Sequence, residues 1–227
     1  PIVEFAIPTG HRLLINARRE STSIMVDQSL TYNYDREGRL IGSWIDGRNY
    51  RRTLDNRVIE KYEGSQPGLS YRVRRELEQD EARAFLSAAY TRVVEYRAVL
   101  DDPATRAVSN GSPDDCQTVR DALDRILECT LERLEQDRKT FNVIYKPVSI
   151  LPPDQYLALV LQATEGCSYN QCAFCSFYRD RKFYIKSVEE FDKHMRDVRA
   201  FFGGGIGLRK SIFLADANAL VIPQQQL

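Results

Sequence analysis

Residues 29–63, SLTYNYDREGRLIGSWIDGRNYRRTLDNRVIEKYE, alternate runs of β-forming residues with three turn signals. The signals are REG at 36–38, DGR at 46–48 and LDNR at 54–57. Asp-Gly between runs rich in β-branched and aromatic residues is typical of a β-hairpin. We therefore predict a small antiparallel meander here, with aromatic side chains paired across its strands.

Two helices are predicted after the meander, beyond a loop at residues 63–71. Apolar residues recur with a 3.6-residue period over residues 77–100, which indicates an amphipathic helix. Ser112, Pro113 and two acidic residues then favour the start of a second helix, whose apolar stripe extends to Leu134. Meander and helices together predict an α+β domain.

A proline-rich segment, YKPVSILPPDQ at residues 145–155, marks the predicted domain boundary. It separates an accessory domain, residues 1–148, from a second domain, residues 149–227. We expect the accessory domain either to present a macromolecular substrate or to act as a structural brace.

The second domain begins with the apolar run YLALVLQAT at 156–164, which is typical of a strand buried on both faces. Ser187 and Glu190 form a capping-box sequence that opens a helix, and a second apolar strand follows at 211–215. Strand, helix and strand predict a βαβ unit with parallel pairing. We therefore expect an α/β partial (β/α) barrel, truncated after its second strand, and a chain that is the front part of a longer protein.

The composition limits the possible partners and compartments. The 227 residues include 32 basic and 32 acidic side chains, so net charge gives no signal for nucleic acid. No apolar run approaches the ~20 residues of a membrane helix, so no membrane partner is predicted. Five cysteines, an odd number, indicate a reducing compartment, here the cytoplasm, rather than a disulfide framework. Two of them, Cys116 and Cys129, are predicted to be buried structural thiols.

The other three cysteines lie close together in EGCSYNQCAFCSFYRDRKF, residues 165–183. Cys167, Cys172 and Cys175 have the spacing C-x4-C-x2-C, and three thiolates on one loop can converge on one soft metal centre. A [4Fe–4S] cluster normally has four cysteine ligands, so three leave one iron open to a substrate or cofactor. The loop follows a predicted strand directly, where parallel α/β folds build their active sites.

The sequence GCSYNQCAFC resembles the cluster loop of radical S-adenosylmethionine (SAM) enzymes, in a subset with one extra residue between the first two cysteines. Phe174 has the place of the aromatic residue that precedes the last cysteine. FLADANAL, residues 213–220, is similar to the end of the second strand in that subset, where D-G-D-A-L or D-G-N-A-L is usual. Ala217 stands in the place of the glycine, and Asn218 in the place of the second acid.

This resemblance implies a [4Fe–4S] cluster on the three cysteines and SAM bound at the open iron. Asp216, Ala217 and Asn218 would meet the methionine part of SAM, and Phe174 would also belong to the cofactor site. The implied reaction is reductive cleavage of SAM to a 5′-deoxyadenosyl radical. It requires an external electron donor of the flavodoxin or ferredoxin type and an unidentified substrate, small or macromolecular. We expect the 227-residue chain to be inactive by itself.

Two alternatives remain open for the cysteine loop. One is an iron–sulfur module that carries electrons or stabilises structure without SAM chemistry. The other is a zinc site, which needs a distant fourth ligand such as His194 or His11. The basic residues that follow the loop, Arg179, Arg181 and Lys182, either favour thiolates or form a solvated turn.

Overall fold

The computed structural model describes residues 1–66, 69–109, 111–148, 151–155 and 157–222. The chain divides into two compact units, Pro1–Arg138 and Lys139–Leu227. The predicted boundary between residues 148 and 149 adjoins residues 149–150, which lie outside the described part of the chain, and it stays a prediction.

The first unit is built on one large antiparallel sheet. Its strands are β1 (Ile2–Ala6), β2 (Arg12–Ala17), β3 (Ser21–Val26), β4 (Leu30–Asp35), β5 (Leu40–Ile45), β6 (Arg48–Arg52), β7 (Val58–Gln66), β8 (Leu69–Glu76) and β9 (Arg106–Ser109). Among the described residues these nine strands pair in the order β8-β7-β6-β5-β4-β3-β2-β1-β9. Each hairpin-connected strand therefore lies beside its neighbour in sequence, and β9 pairs with β1 at the far edge.

The turns of the meander are found where the sequence predicts them. Asp46 and Gly47, between β5 and β6, both have positive φ, as the tight Asp-Gly hairpin requires. Asn56, between β6 and β7, also has positive φ and donates its side-chain amide to the Leu134 carbonyl at 2.7 Å. The hairpin prediction is therefore confirmed in this segment.

The predicted size of the meander is wrong, because the sheet extends well beyond it on both sides. Residues 63–71, predicted as a loop, belong largely to β7 and β8, where Gly64 pairs with Tyr71. Leu69, Tyr71 and Val73 of β8 do alternate with polar residues, but the Gly and Pro residues just before them indicate a loop, and almost every residue of the strand is exposed. Its pairing comes from backbone hydrogen bonds, which any sequence can supply.

The core of the first unit lies where the inward faces of the strands meet the helices α1 (Gln79–Val99) and α2 (Pro113–Leu127). In β2 the buried side chains alternate with more exposed ones, as expected of a sheet with one covered face. Tyr34 is fully buried and donates its hydroxyl to the Ala89 carbonyl of α1 at 3.1 Å. Cys129 is buried as predicted, whereas Cys116 is only half-buried against this core.

The predicted second helix is two helices, α2 and α3 (Leu131–Ile144). Ser112 caps α2 as predicted, with its hydroxyl accepting from the Asp115 amide at 3.1 Å. The break follows from Thr130, whose hydroxyl accepts from the Arg133 amide at 3.2 Å and starts a new helix. The apolar stripe continues across the break, so the hydrophobic periodicity by itself predicts one helix where the structure has two.

The second unit contains the strands β10 (Leu159–Gln162), β11 (Thr164–Glu165), β12 (Tyr184–Ile185) and β13 (Ile212–Ala215), with helix α4 (Val188–Phe202) between β12 and β13. β10 and β13 pair in parallel, from Leu159 opposite Ile212 to Gln162 opposite Ala215. The Ser187–Glu190 capping box is present, with the Ser187 amide donating to the Glu190 carboxylate at 2.8 Å. The predicted βαβ pairing is therefore confirmed.

The predicted fold class as a whole is wrong. The described residues form mainly the nine-stranded antiparallel sheet with four α-helices, and the second unit adds only two two-stranded sheets. Within the described ranges β10 and β13 pair only with each other, so no barrel forms. A βαβ pattern specifies how two strands pair, and it does not specify how many strands follow. No described helix is long and apolar enough to cross a membrane.

Candidate metal and cofactor site

The cysteine loop, residues 166–183, connects β11 to β12, and the antiparallel pairing of these two short strands closes its base. Thr164 lies opposite Ile185, and Glu165 lies opposite Tyr184. The Lys186 ammonium also pairs with the Glu165 carboxylate at 2.8 Å. Both ends of the loop are therefore fixed next to the end of β10.

Hydrogen bonds within the loop give it a defined shape. Asn170 donates its side-chain amide to the Tyr178 carbonyl at 2.8 Å, and Arg179 donates to the Cys172 carbonyl at 3.1 Å. Tyr178 is only 4% exposed, and burial raises the pKa of its hydroxyl to about 12. The buried phenol ring serves as the small apolar centre of the loop, with the Arg181 guanidinium 5.7 Å from its centroid.

All three cysteines of the loop are free and partly exposed. The described residues, which include all three, contain no group of three or more His, Cys, Asp or Glu side chains arranged to hold a metal ion. The predicted convergence of the three sulfurs is therefore absent from this conformation. The donor chemistry still fits an iron–sulfur cluster, because the loop offers three thiols that form no disulfide and are partly exposed.

Asp216 connects the loop to the end of β13. Its side chain is fully buried, and its two carboxylate oxygens accept from the Gln162 side-chain amide and the Gly166 backbone amide, each at 2.9 Å. The Arg181 guanidinium lies 3.7 Å from the same carboxylate. Burial raises the pKa of Asp216, and the hydrogen bonds from Gln162 and Gly166 partly offset that rise. The expectation that the end of the second strand lies beside the loop is confirmed for this residue.

Gly166, the first residue of the loop, has a conformation and a setting that suit glycine alone. Its φ is +78°, and a Cβ built on it would lie 3.1 Å from the Lys182 carbonyl oxygen. A side chain would be strained there and would crowd the backbone at the far end of the loop. The amide of Gly166 is therefore held close enough to reach Asp216.

Behind Asp216, a buried polar network extends through Gln162 to α4. The Gln162 side chain bonds both the amide and the carbonyl of Lys146, at 2.9 and 3.0 Å. The backbone amide of Gln162 donates to Nε2 of His194 at 3.0 Å. The sequence reasoning missed Gln162, although a polar residue inside the apolar run at 156–164 was the available signal.

Neither histidine is placed as a fourth zinc ligand. Nε2 of His194 accepts the Gln162 amide, and the ring also bonds the backbone of Ile144, so both nitrogens have partners. His11 belongs to the first unit, where its ring bonds the carboxylate of Asp27. Neither His194 nor His11 is therefore available to complete a zinc site on the cysteine loop.

The remaining predicted cofactor residues are exposed. Phe174 is 93% exposed, and Tyr169, in the same loop, is 64% exposed. Ala217 and Asn218, directly after Asp216, are also exposed. The four predicted cofactor residues therefore fall into two groups. The carboxylate of Asp216 is already bonded to protein groups, whereas the other three side chains are exposed to solvent.

Comparison with protein-family models, curated proteins and solved structures found no match to this chain. The radical SAM interpretation therefore rests on the residues of the cysteine loop and of the segment at 213–220.

Burial of His194 predicts a pH-dependent stability. Burial lowers the pKa of its ring to about 4, so the folded unit resists protonation that the unfolded chain accepts below about pH 6.5. The stability is complete above that pH and is lost as the pH falls toward 4, by up to about 3 kcal/mol. The raised pKa of Asp216 acts in the opposite direction at low pH.

A His194→Gln variant isolates this effect, because glutamine retains an acceptor for the Gln162 amide and does not titrate. Urea unfolding at about pH 7 and about pH 5 should show a larger loss of stability for the wild type than for the variant. Asp216 contributes equally to both proteins, so it cancels in the comparison. Equal losses would show that His194 is not the titrating group.

Proposed function

We propose that this chain binds a [4Fe–4S] cluster through Cys167, Cys172 and Cys175 and cleaves SAM reductively. The observation that carries the proposal is the grouping of three free, partly exposed thiols on one closed loop, which begins a few residues after the parallel strand β10. A structural role for these thiols would favour burial, as Cys129 has in the first unit.

In this proposal the three cysteines are thiolate ligands, and Arg179, Arg181 and Lys182 provide positive charge close to them in the sequence. When bound, the cluster would supply the electron that breaks the C5′–S bond of SAM. Asp216 is a positioning residue: its carboxylate holds the Gly166 amide and so fixes the entry to the loop.

Two exposed residues of the predicted cofactor set, Asn218 and Phe174, are the proposed contacts with SAM. Asn218 has a side-chain oxygen that can accept from the SAM ammonium, although it supplies no negative charge. Phe174 offers a large exposed ring for contact with the cofactor or with the electron donor. We place the protein in the cytoplasm, because free thiols of this kind persist in a reducing compartment.

The SAM part of the proposal is tested with reconstituted protein. Adding SAM to the reduced cluster should change its electron paramagnetic resonance spectrum, and Asn218→Ala should weaken this SAM binding about three- to tenfold through loss of one hydrogen bond. Asn142→Ala, at an exposed position on α3, is the matched control and should bind SAM normally. Chromatography then measures the 5′-deoxyadenosine that the reconstituted protein forms with SAM and dithionite.

The outcomes separate the two classes of function. An intact cluster whose spectrum does not respond to SAM, in a protein that forms no 5′-deoxyadenosine, would replace the proposal by an electron-carrying or structural iron–sulfur module. A spectral response that Asn218→Ala leaves unchanged would remove Asn218 from the site and keep the proposed reaction.

A further inference from the structure

The first unit contains a cavity of about 590 Å³. None of its described lining residues belongs to the cysteine loop. The cavity is bordered by the end of β2, the β2–β3 and β4–β5 turns and one face of α2. Thr118 and Arg125 lie seven residues apart on α2, which places them on the same face of the helix. The volume is within the range of about 300–1,000 Å³ that small-molecule sites occupy.

Four arginines line this cavity: Arg18, Arg19, Arg36 and Arg125. Among the described residues that line it there is no carboxylate. The chain as a whole has no net charge, so this grouping of four positive charges is local. Four like charges around one concave space repel each other, and a bound anion would relieve that repulsion.

Three of these four arginines lack the ion-pair partner that most other arginines of this unit have. Arg18, Arg36 and Arg125 form no ion pair within the described part of the chain, and Arg19, whose side chain is 88% exposed, pairs with Glu20 at 4.0 Å. By contrast, Arg97 on α1 is paired with carboxylates on two sides.

Two of the guanidinium groups are held by neutral partners that leave donors available. Arg36 donates one N–H to the Arg19 carbonyl at 2.7 Å. When the side-chain amide of Asn16 is turned so that its oxygen faces Arg18, that oxygen accepts two N–H bonds from the Arg18 guanidinium, at 3.1 and 3.3 Å. A guanidinium has five N–H donors, so each arginine retains donors for a ligand after these bonds. Because these partners are neutral, Arg18 and Arg36 retain their full positive charge.

We infer that this cavity binds a small anion that carries at least two phosphate groups. Arginine matches phosphate through paired N–H···O bonds, and four arginines exceed what one phosphate group needs. The side-chain amide of Asn16 adds a neutral hydrogen-bonding group at the same surface. The cavity has no aromatic side chain among its described lining residues, so the phosphate groups rather than a base are recognised.

The test uses the 227-residue chain and inorganic triphosphate as the probe, in isothermal titration calorimetry at near-physiological salt. Arg36→Gln and Arg125→Gln should each weaken binding about tenfold, because each removes a charge-assisted contact, and the double variant about a hundredfold. Arg92→Gln is the matched control: Arg92 is exposed on α1 and pairs with Glu95, and its loss should change binding less than twofold.

A second variant, Thr118→Glu, tests the same site without removing an arginine. It places a carboxylate at the cavity wall and should also weaken binding about tenfold or more by repelling the anion. Circular dichroism of each variant verifies that it is folded. Inorganic monophosphate should bind the wild type at least about tenfold more weakly than triphosphate, because it engages fewer arginines.

Three results would overturn the inference. The first is the absence of triphosphate binding by the folded wild type. The second is an equal effect of Arg92→Gln and of the cavity variants, which would indicate only general attraction to surface charge. The third is tighter binding of a short RNA than of triphosphate, with the same dependence on Arg36 and Arg125, which would make the ligand a nucleic-acid backbone.

Discussion

Replacing Cys167, Cys172 and Cys175 together with alanine is expected to abolish the binding of iron and sulfide. The wild-type chain, reconstituted anaerobically, should retain one brown [4Fe–4S] cluster, because its three loop thiols are free and accessible. The triple variant has no thiolate left on the loop. Iron and sulfide assays together with visible absorbance measure the difference.

The first unit supplies the control for this experiment. Cys116→Ala removes a half-buried thiol that packs against the core, and it should leave the iron content unchanged. The same reconstitution with zinc should give weak binding, because His194 and His11 both have other partners and no described histidine completes the site. Iron retained by the triple variant would contradict the assignment of ligands, and tight zinc binding would contradict the choice of metal.

Asp216→Ala is expected to destabilise the second unit by about 3–5 kcal/mol. The substitution leaves the Gly166 amide, the Gln162 side chain and the Arg181 guanidinium without their buried partner. The loop should then lose its attachment to the end of β13. Denaturant unfolding measures the stability, and hydrogen exchange at the Gly166 amide measures the attachment directly.

Two variants separate this positioning role from cofactor binding. Asp216→Asn retains one acceptor oxygen and should have a smaller effect on exchange at Gly166 than Asp216→Ala. Asn218→Ala changes an exposed side chain two residues further on and should leave exchange at Gly166 unchanged. If Asp216→Ala left both stability and exchange at wild-type levels, Asp216 would not position the loop.

The features that the sequence predicted correctly are local ones. The turn at Asp46–Gly47 and the caps at Ser112 and Ser187 depend on residues within a few positions of each other. Such short-range chemistry does not depend on the rest of the fold. The parallel pairing of β10 and β13 was also predictable, because a helix between two apolar strands leaves little choice of direction.

The sequence indicated the extent of the sheet only in part. β8 is exposed along nearly its whole length, and β9 (Arg106–Ser109) lies in a polar stretch between two helices. β9 has no alternating pattern, and the alternation of Leu69, Tyr71 and Val73 in β8 directly follows Gly and Pro residues that indicate a loop. Both exist because a neighbouring strand presents free backbone groups for pairing, which is a property of the assembled sheet.

The candidate site divides in the same way. The sequence by itself determined the three clustered thiols and the segment at 213–220, because these depend on residue type and spacing. Only the tertiary structure decided that Asp216 faces inward to Gly166 and Gln162, while Asn218 faces outward. The partners of Asp216 are about fifty residues away in the chain, and a buried carboxylate requires such partners wherever the fold provides them.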